Sequence, residues 1–417
     1  MASRKILDAC GGAAVCSIGH SDPRVAKALS EQLMTVSYMH SGVFANDAAE
    51  ELAHKLCKSA GMERAVFYSG GTEAIDCSLK LARQYHIERG QPERVNFIGR
   101  FRSYHGNSLS ALALGHHPSR RAPYEAILPK NYHHVSPAYA YRYQRKEEST
   151  EEYVARLADE LENKILELGP QTVAAFYAEP IVGATTGCVP APVGYLSAMK
   201  AVCHKYDILF CLDEIMSGIG RSGKMHAWQW DEGAQPDLQI VGKGLGGGYA
   251  PISSVLISSR VVEAFQRGSG AFNNGHTYQS HVIGCRAALE ILRIFEADGL
   301  IARCQTSGEA LEKLLREKIL PHPNVGDIRG RGLFQGIELV ADKNNKACLP
   351  LDFPAADLLT AECLRRGLSI YPGVKGTVDG VRGDHVLLAP AYTISEDELD
   401  IAVDTLLEAL NAIMKAV

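Results

Sequence analysis

Between about residues 60 and 290 the chain alternates short, β-rich apolar runs with stretches in which apolar side chains recur at helical spacing. The runs are Ala65–Tyr68, Val95–Ile98, Val173–Tyr177, Ile208–Leu212, Leu238–Val241 and Ser254–Ile257. Most lack strict polar alternation, which suits strands covered on both faces. Between them the amphipathic pattern predicts helices over Glu73–Arg89, Val154–Leu168 and Val193–Lys205. Strand, helix, strand in repetition predicts an α/β architecture, with a mostly parallel sheet and helices on both of its faces.

Near residue 296 the character changes. Helical patterns at His281–Phe295 and Ile301–Lys318 lead to an alternating segment, Gly332–Leu339, then a helix at Ala355–Arg366, a strand at Val386–Ala389 and a closing helix at Glu396–Lys415. Ser395, followed by an acidic cluster, is a sound N-cap for that last helix. The pattern predicts a smaller α+β domain. No internal repeat or low-complexity segment interrupts the chain. At 417 residues it exceeds the roughly 250–300 at which one hydrophobic core stops growing, in keeping with two domains.

Composition narrows the partners. A formal charge of −5 gives no electrostatic reason to expect nucleic acid or an anionic membrane surface. No apolar stretch approaches the roughly 18 residues of a membrane helix, and the start, Met1-Ala2-Ser3-Arg4-Lys5, does not open a signal-peptide run. The 11 cysteines are scattered, odd in number and without a CxxC pair. Reduced, mostly buried thiols in the cytoplasm are the expectation.

Four motifs fall at strand ends, where ligands of open parallel sheets collect. Tyr68-Ser69-Gly70-Gly71-Thr72-Glu73-Ala74 runs from a strand into a helix. Its glycines allow close backbone approach and the helix start offers free N–H groups to a phosphate; the same residues also suit a turn that needs only Gly and an N-cap. Ser103-Tyr104-His105-Gly106 offers a ring that could stack on a planar heterocycle or sit in the core. Phe210-Cys211-Leu212-Asp213-Glu214-Ile215 ends a core strand in two carboxylates, which need a cation or a protonated ring nitrogen. A metal is the rival partner, but the pairs His116-His117 and His133-His134 read as solvated loop and no metal site is expected. Ile240-Val241-Gly242-Lys243-Gly244 sets a lysine just past an apolar strand, where desolvation frees the amine as a nucleophile. The GxxxxGK[ST] order of a phosphate loop is absent. Together these groups suit an aldehyde-bearing pyridine phosphate.

With the additional segments Glu179-Pro180, Gly220-Arg221-Ser222-Gly223 and Gly275-His276-Thr277-Tyr278 in the same order, the chain resembles the class III (omega-type) aminotransferases over nearly its whole length. The resemblance implies PLP fold type I, with a large cofactor-binding domain at 40–295 and a small domain made of 1–39 and 296–417. It implies pyridoxal 5′-phosphate held as an aldimine on Lys243, which also serves as the proton-shuttling base. Asp213 would keep the pyridine nitrogen protonated. Gly70, Gly71 and Thr72 would hold the phosphate, Tyr104 and Ile215 would cover the two ring faces, His105 would belong to the cofactor contacts, and Glu179 would help organise the site. Thr277 would reach the phosphate of the neighbouring subunit, implying a homodimer with shared active sites. The implied reaction is ping-pong transfer of an amino group from an amine or amino acid to a keto acid. An aminomutase or decarboxylase on the same scaffold, or a cofactor-binding protein without catalysis, are the rival readings.

Two departures from the family pattern shape what to expect of the pocket. The chain starts almost at the segment Leu7–Val15, where family members carry further residues that help cover the pocket, so a more open pocket is expected. Where many members place a carboxylate-binding arginine, this chain has Tyr371, followed by an inserted stretch, Gly376–His385, whose Arg382 could take over that job.

Overall fold

The computed structural model describes residues 5–415, so the reading of Met1 to Arg4 lies outside the described residues. Seven strands form the central sheet: β1 Arg64–Tyr68, β2 Asn96–Arg100, β3 Tyr132–Val135, β4 Val173–Ala178, β5 Leu209–Asp213, β6 Leu238–Val241 and β7 Ser253–Ile257. Their order is β1-β7-β6-β5-β4-β2-β3. All neighbours are parallel except β7, which runs antiparallel to both β1 and β6. The reversal has a steric cause: residues 242–252 are too few for the crossover of a dozen or more that a parallel return requires.

β5 explains how one strand serves two faces. Leu209 and Cys211 pack with the helix Gly71–Glu88 on one side. Phe210 and Leu212 pack with the helices Thr150–Leu168 and Tyr195–Lys205 on the other. The period-2 alternation of side chains thus puts apolar groups on both faces, and the strand needs no polar side. Thr150–Leu168 starts at a capping box in which Ser149 and Glu152 satisfy each other's backbone N–H. Its buried Tyr153, Leu157, Leu161 and Ile165 fall on one stripe.

The strand β3 corrects the sequence reading of its histidines as solvated loop. His133 and His134 lie in this edge strand, where His134 Nε2 bonds the carbonyls of Ala113 and Leu114, both at 3.1 Å. His116 and His117 do lie in a loop, but His117 is only 2% exposed and His116 stacks edge-on against Phe101 and His134. Burial pushes the pKa of His117 down to about 4 and that of His134 to about 3, so these rings are neutral packing groups.

A second, antiparallel sheet follows, built of β8 Val325–Arg331, β9 Phe334–Leu339, β10 Tyr371–Pro372 and β11 Asp384–Leu388 in the order β8-β9-β11-β10. Helices Leu300–Leu314, Ala355–Arg366 and Glu396–Met414 pack on it through one apolar cluster. Ser395 caps the last helix in a box with Glu398. The two-residue strand Leu7–Asp8 pairs with Leu368–Ser369, tying the start of the described chain to this C-terminal part. No helix among the described residues is long and apolar enough to cross a membrane.

Candidate active site

The carboxyl ends of β1, β2, β4, β5 and β6 open into one cavity of about 380 Å³. Each strand delivers one piece: Ser69, Gly71 and Thr72 after β1, Tyr104 and His105 after β2, Glu179 after β4, Asp213 and Ile215 at the end of β5, and Lys243 after β6. The volume lies within the range of small-molecule sites.

Of the two carboxylates ending β5, alternation sends them to opposite sides. Asp213 faces the cavity, where Oδ2 takes a hydrogen bond from His105 Nδ1 at 2.8 Å and Oδ1 one from the Ile215 N–H at 3.0 Å. Glu214 turns away and accepts the backbone N–H groups of Ala227 and Trp228 at 2.6 and 2.8 Å. It is wholly buried, and burial raises its pKa to about 7. His105 Nδ1 is committed to Asp213 and orients it, while His105 Nε2 is buried with no hydrogen-bond partner.

Lys243 enters the cavity from a glycine-rich turn with a left-handed backbone, φ +41°, which is uncommon for a residue with a side chain. Burial holds its amine below the ordinary lysine range, while Asp213 and Glu179 pull the other way. Glu179 accepts the Tyr104 N–H at 3.2 Å, and burial raises its pKa to about 6.

The start of the helix Gly71–Glu88 is built for an anion. Glu73 Oε2 takes the N–H groups of Ser69 and Gly70 at 2.9 and 3.1 Å. The first-turn N–H groups of Gly71 and Thr72 have no carbonyl within the helix to receive them. Gly71 lies close to Ile215: a Cβ there would sit 2.9 Å from Ile215 Cδ1 and displace the end of that side chain. Thr72 is oriented by Asn107, its Oγ1 donating to Oδ1 at 2.9 Å. These donors, a desolvated amine and an oriented carboxylate suit a pyridine aldehyde phosphate: phosphate at the helix start, aldehyde at Lys243, ring nitrogen at Asp213.

Thr277 and Arg382 are not brought to this cavity. Thr277 is exposed, its carbonyl accepting Tyr38 OH at 2.9 Å, although neighbouring His276 reaches Glu73 at 3.5 Å. Arg382 is 59% exposed at its side chain and bound to Asp379 at 2.5 Å. Tyr371 does line the wall. Among the wall residues that sequence reasoning missed are Ala13 and Val15 near the start of the chain, Met216 after β5, and Arg120. The last left a faint trace. Its neighbour Arg121 has a carboxylate four residues on, Glu125, and pairs with it at 3.1 Å, whereas the residue four beyond Arg120 is the uncharged Tyr124.

The model of the family described as aminotransferase class-III matches residues 2–410. An uncharacterised aminotransferase of Schizosaccharomyces pombe is 45% identical, the match covering 99% of this chain and 90% of that protein. The chloroplastic gamma aminobutyrate transaminase 3 of Solanum lycopersicum is 34% identical over 95% of this chain and 75% of its own length. Among solved structures, the omega transaminase of Pseudomonas jessenii in complex with PMP superposes with a TM-score of 0.92 at 32% identity, covering 99% of this chain and 89% of that one.

Proposed function

The chain belongs to the class III aminotransferases and has PLP fold type I, and from that premise we propose that it moves an amino group from an amine or amino acid to a keto acid in two ping-pong half-reactions, using pyridoxal 5′-phosphate bound at Lys243. The observation that carries the reading is the convergence of a desolvated amine, an oriented carboxylate and a free helix start in one cavity. The binding of PMP by the Pseudomonas jessenii relative, the amino form of the same cofactor, supports the choice.

When bound, the cofactor supplies an electrophilic aldehyde and a cationic ring that draws electrons from the substrate Cα. The chain's own residues do the rest. Gly71 and Thr72 bind the phosphate with their backbone N–H groups. Asp213, held by His105 and the Ile215 N–H, keeps a proton on the ring nitrogen. Ile215 and Tyr104 confine the ring between them. Lys243, whose burial disfavours its ammonium, would hold the cofactor aldehyde and, once the substrate amine has displaced it, would move the proton from the substrate Cα. Glu179 fixes the Tyr104 backbone and sets charge beside the lysine.

The reading includes a homodimer in which Thr277 of the partner subunit completes the phosphate site. Exposed Met34, Val43, Phe44 and Tyr278 support a subunit contact on the side of Thr277; a monomer by light scattering at micromolar concentration contradicts it. Eleven thiols, none in a disulfide, suit the reducing cytoplasm.

The test is a half-reaction. Holoenzyme mixed with an amine donor alone releases one equivalent of carbonyl product and stops until a keto acid is added. Continuous turnover without acceptor assigns the chain to an aminomutase or decarboxylase chemistry instead.

A further inference from the structure

A keto acid brings a negative charge into a cavity whose wall already carries Asp213 and Glu179. Two basic chains besides His105 line that wall, Lys243 and Arg120, and Lys243 is committed to the cofactor in the reading above. Arg120 alone offers a guanidinium fork, which matches a carboxylate bidentately.

Its surroundings are those of a guanidinium waiting for an anion. It sits on the short helical turn Pro118–Arg121 with its guanidinium 4.6 Å from the centre of the Tyr104 ring. No carboxylate among the described residues pairs with it, and its buried Nε has no hydrogen-bond partner. A buried donor left unmatched is costly, and on the wall of a binding cavity a ligand can match it. Its place over the Tyr104 ring holds the guanidinium without using its N–H groups, which stay free for bidentate pairing. Its charge is felt at Lys243, whose ammonium it disfavours, so the two lie within electrostatic reach.

The inserted stretch that carries Arg382 has a different part. Arg382 is tied to Asp379 on the surface, but Gly380 packs against Pro118 so closely that a Cβ would collide with the ring. Arg102, from the same side, donates to the Val378 carbonyl at 3.3 Å. The insertion braces the turn that presents Arg120.

We infer that Arg120 is the carboxylate receptor of this active site, which makes keto acids and amino acids, rather than simple amines and aldehydes alone, the substrate class. The inference rests on the transaminase reading of the cavity. A phosphate is the other anion such a fork could hold, and the test separates the two.

Holoenzyme and the variants Arg120→Gln, Arg120→Ala and Arg120→Lys are compared with two acceptors after amine loading: pyruvate, which has a carboxylate, and butanal, which has none. Loss of a buried charge pair raises KM for pyruvate on the order of 100-fold in the Gln and Ala variants, the loss of kcat/KM with butanal is about ten-fold smaller than that with pyruvate, and Arg120→Lys recovers part of the pyruvate loss. Independently of turnover, calorimetry detects glutarate binding to the wild-type holoenzyme and none to Arg120→Ala. Equal losses with both acceptors, unchanged pyruvate KM, or loss of pyridoxal phosphate from the variants each overturns the inference, the last by giving Arg120 to the phosphate. Wild-type protein that converts no amine at all defeats the transaminase reading itself and is recognised before any variant is made.

Discussion

At the scale of single residues, the site depends on an amine that is uncharged when it must act. Burial disfavours the ammonium of Lys243, and this outweighs the attraction of Asp213 and Glu179. The sign of the consequence is fixed. A lysine with a depressed pKa delivers its free amine at lower pH than an exposed one, so uptake of pyridoxal phosphate by the cofactor-free protein rises with pH and levels off below 10.5, the ordinary lysine value. Stopped-flow absorbance across the alkaline range measures it; a rate still climbing beyond that value contradicts a desolvated Lys243. Asp213 is the complementary case, a buried carboxylate made tolerable by His105 and a backbone N–H. Both were legible in the sequence because Asp213 ends an unbroken apolar run and Lys243 follows a largely apolar one, and a charged group in such a position must have a partner. Arg120 was not: Glu125, four residues beyond Arg121, is the faint local sign that sets the two apart, and the fold decides which of the adjacent arginines turns to the cavity.

At the scale of elements, the turn after β6 has two duties: it presents Lys243 and reverses the chain into β7. Gly246 is where these compete for space, since a Cβ there would run into the Ala250 carbonyl, a backbone atom that cannot swing aside. Gly246→Ala is expected to cost about 1–3 kcal/mol, as overpacking does, and to weaken cofactor retention with it. Urea midpoints and absorbance after dialysis check this; a variant as stable and as fully loaded as the parent contradicts the tight turn. The same scale shows why some strands were legible and others not. β4 and β5 are apolar on both faces and could be little else. β3 is Tyr-His-His-Val and β8 contains Gly326, Asp327, Arg329 and Gly330, patterns that resemble loops until neighbours take up their polar groups. Helices with strong caps, such as those after Ser149 and Ser395, were placed to within a few residues.

At the scale of the molecule, the two sheets are joined by buried polar ties as well as by apolar packing. Arg221, 1% exposed, donates to the carbonyls of Leu333 and Pro390 at 3.1 and 2.5 Å and lies over the Tyr392 ring, linking the loop after β5 to the C-terminal part. Tyr371 reaches the cavity from the second sheet, so the pocket is closed by both. The arrangement was foreseeable as two sheet patterns in one chain, but which residues meet across them was not. The whole account turns on one bond position. Reduction of the pyridoxal-phosphate-loaded protein with borohydride, followed by peptide mapping, is expected to find a single equivalent of pyridoxyl group on Lys243. Label spread over surface lysines, or a loaded protein with Lys243 unmodified, contradicts it.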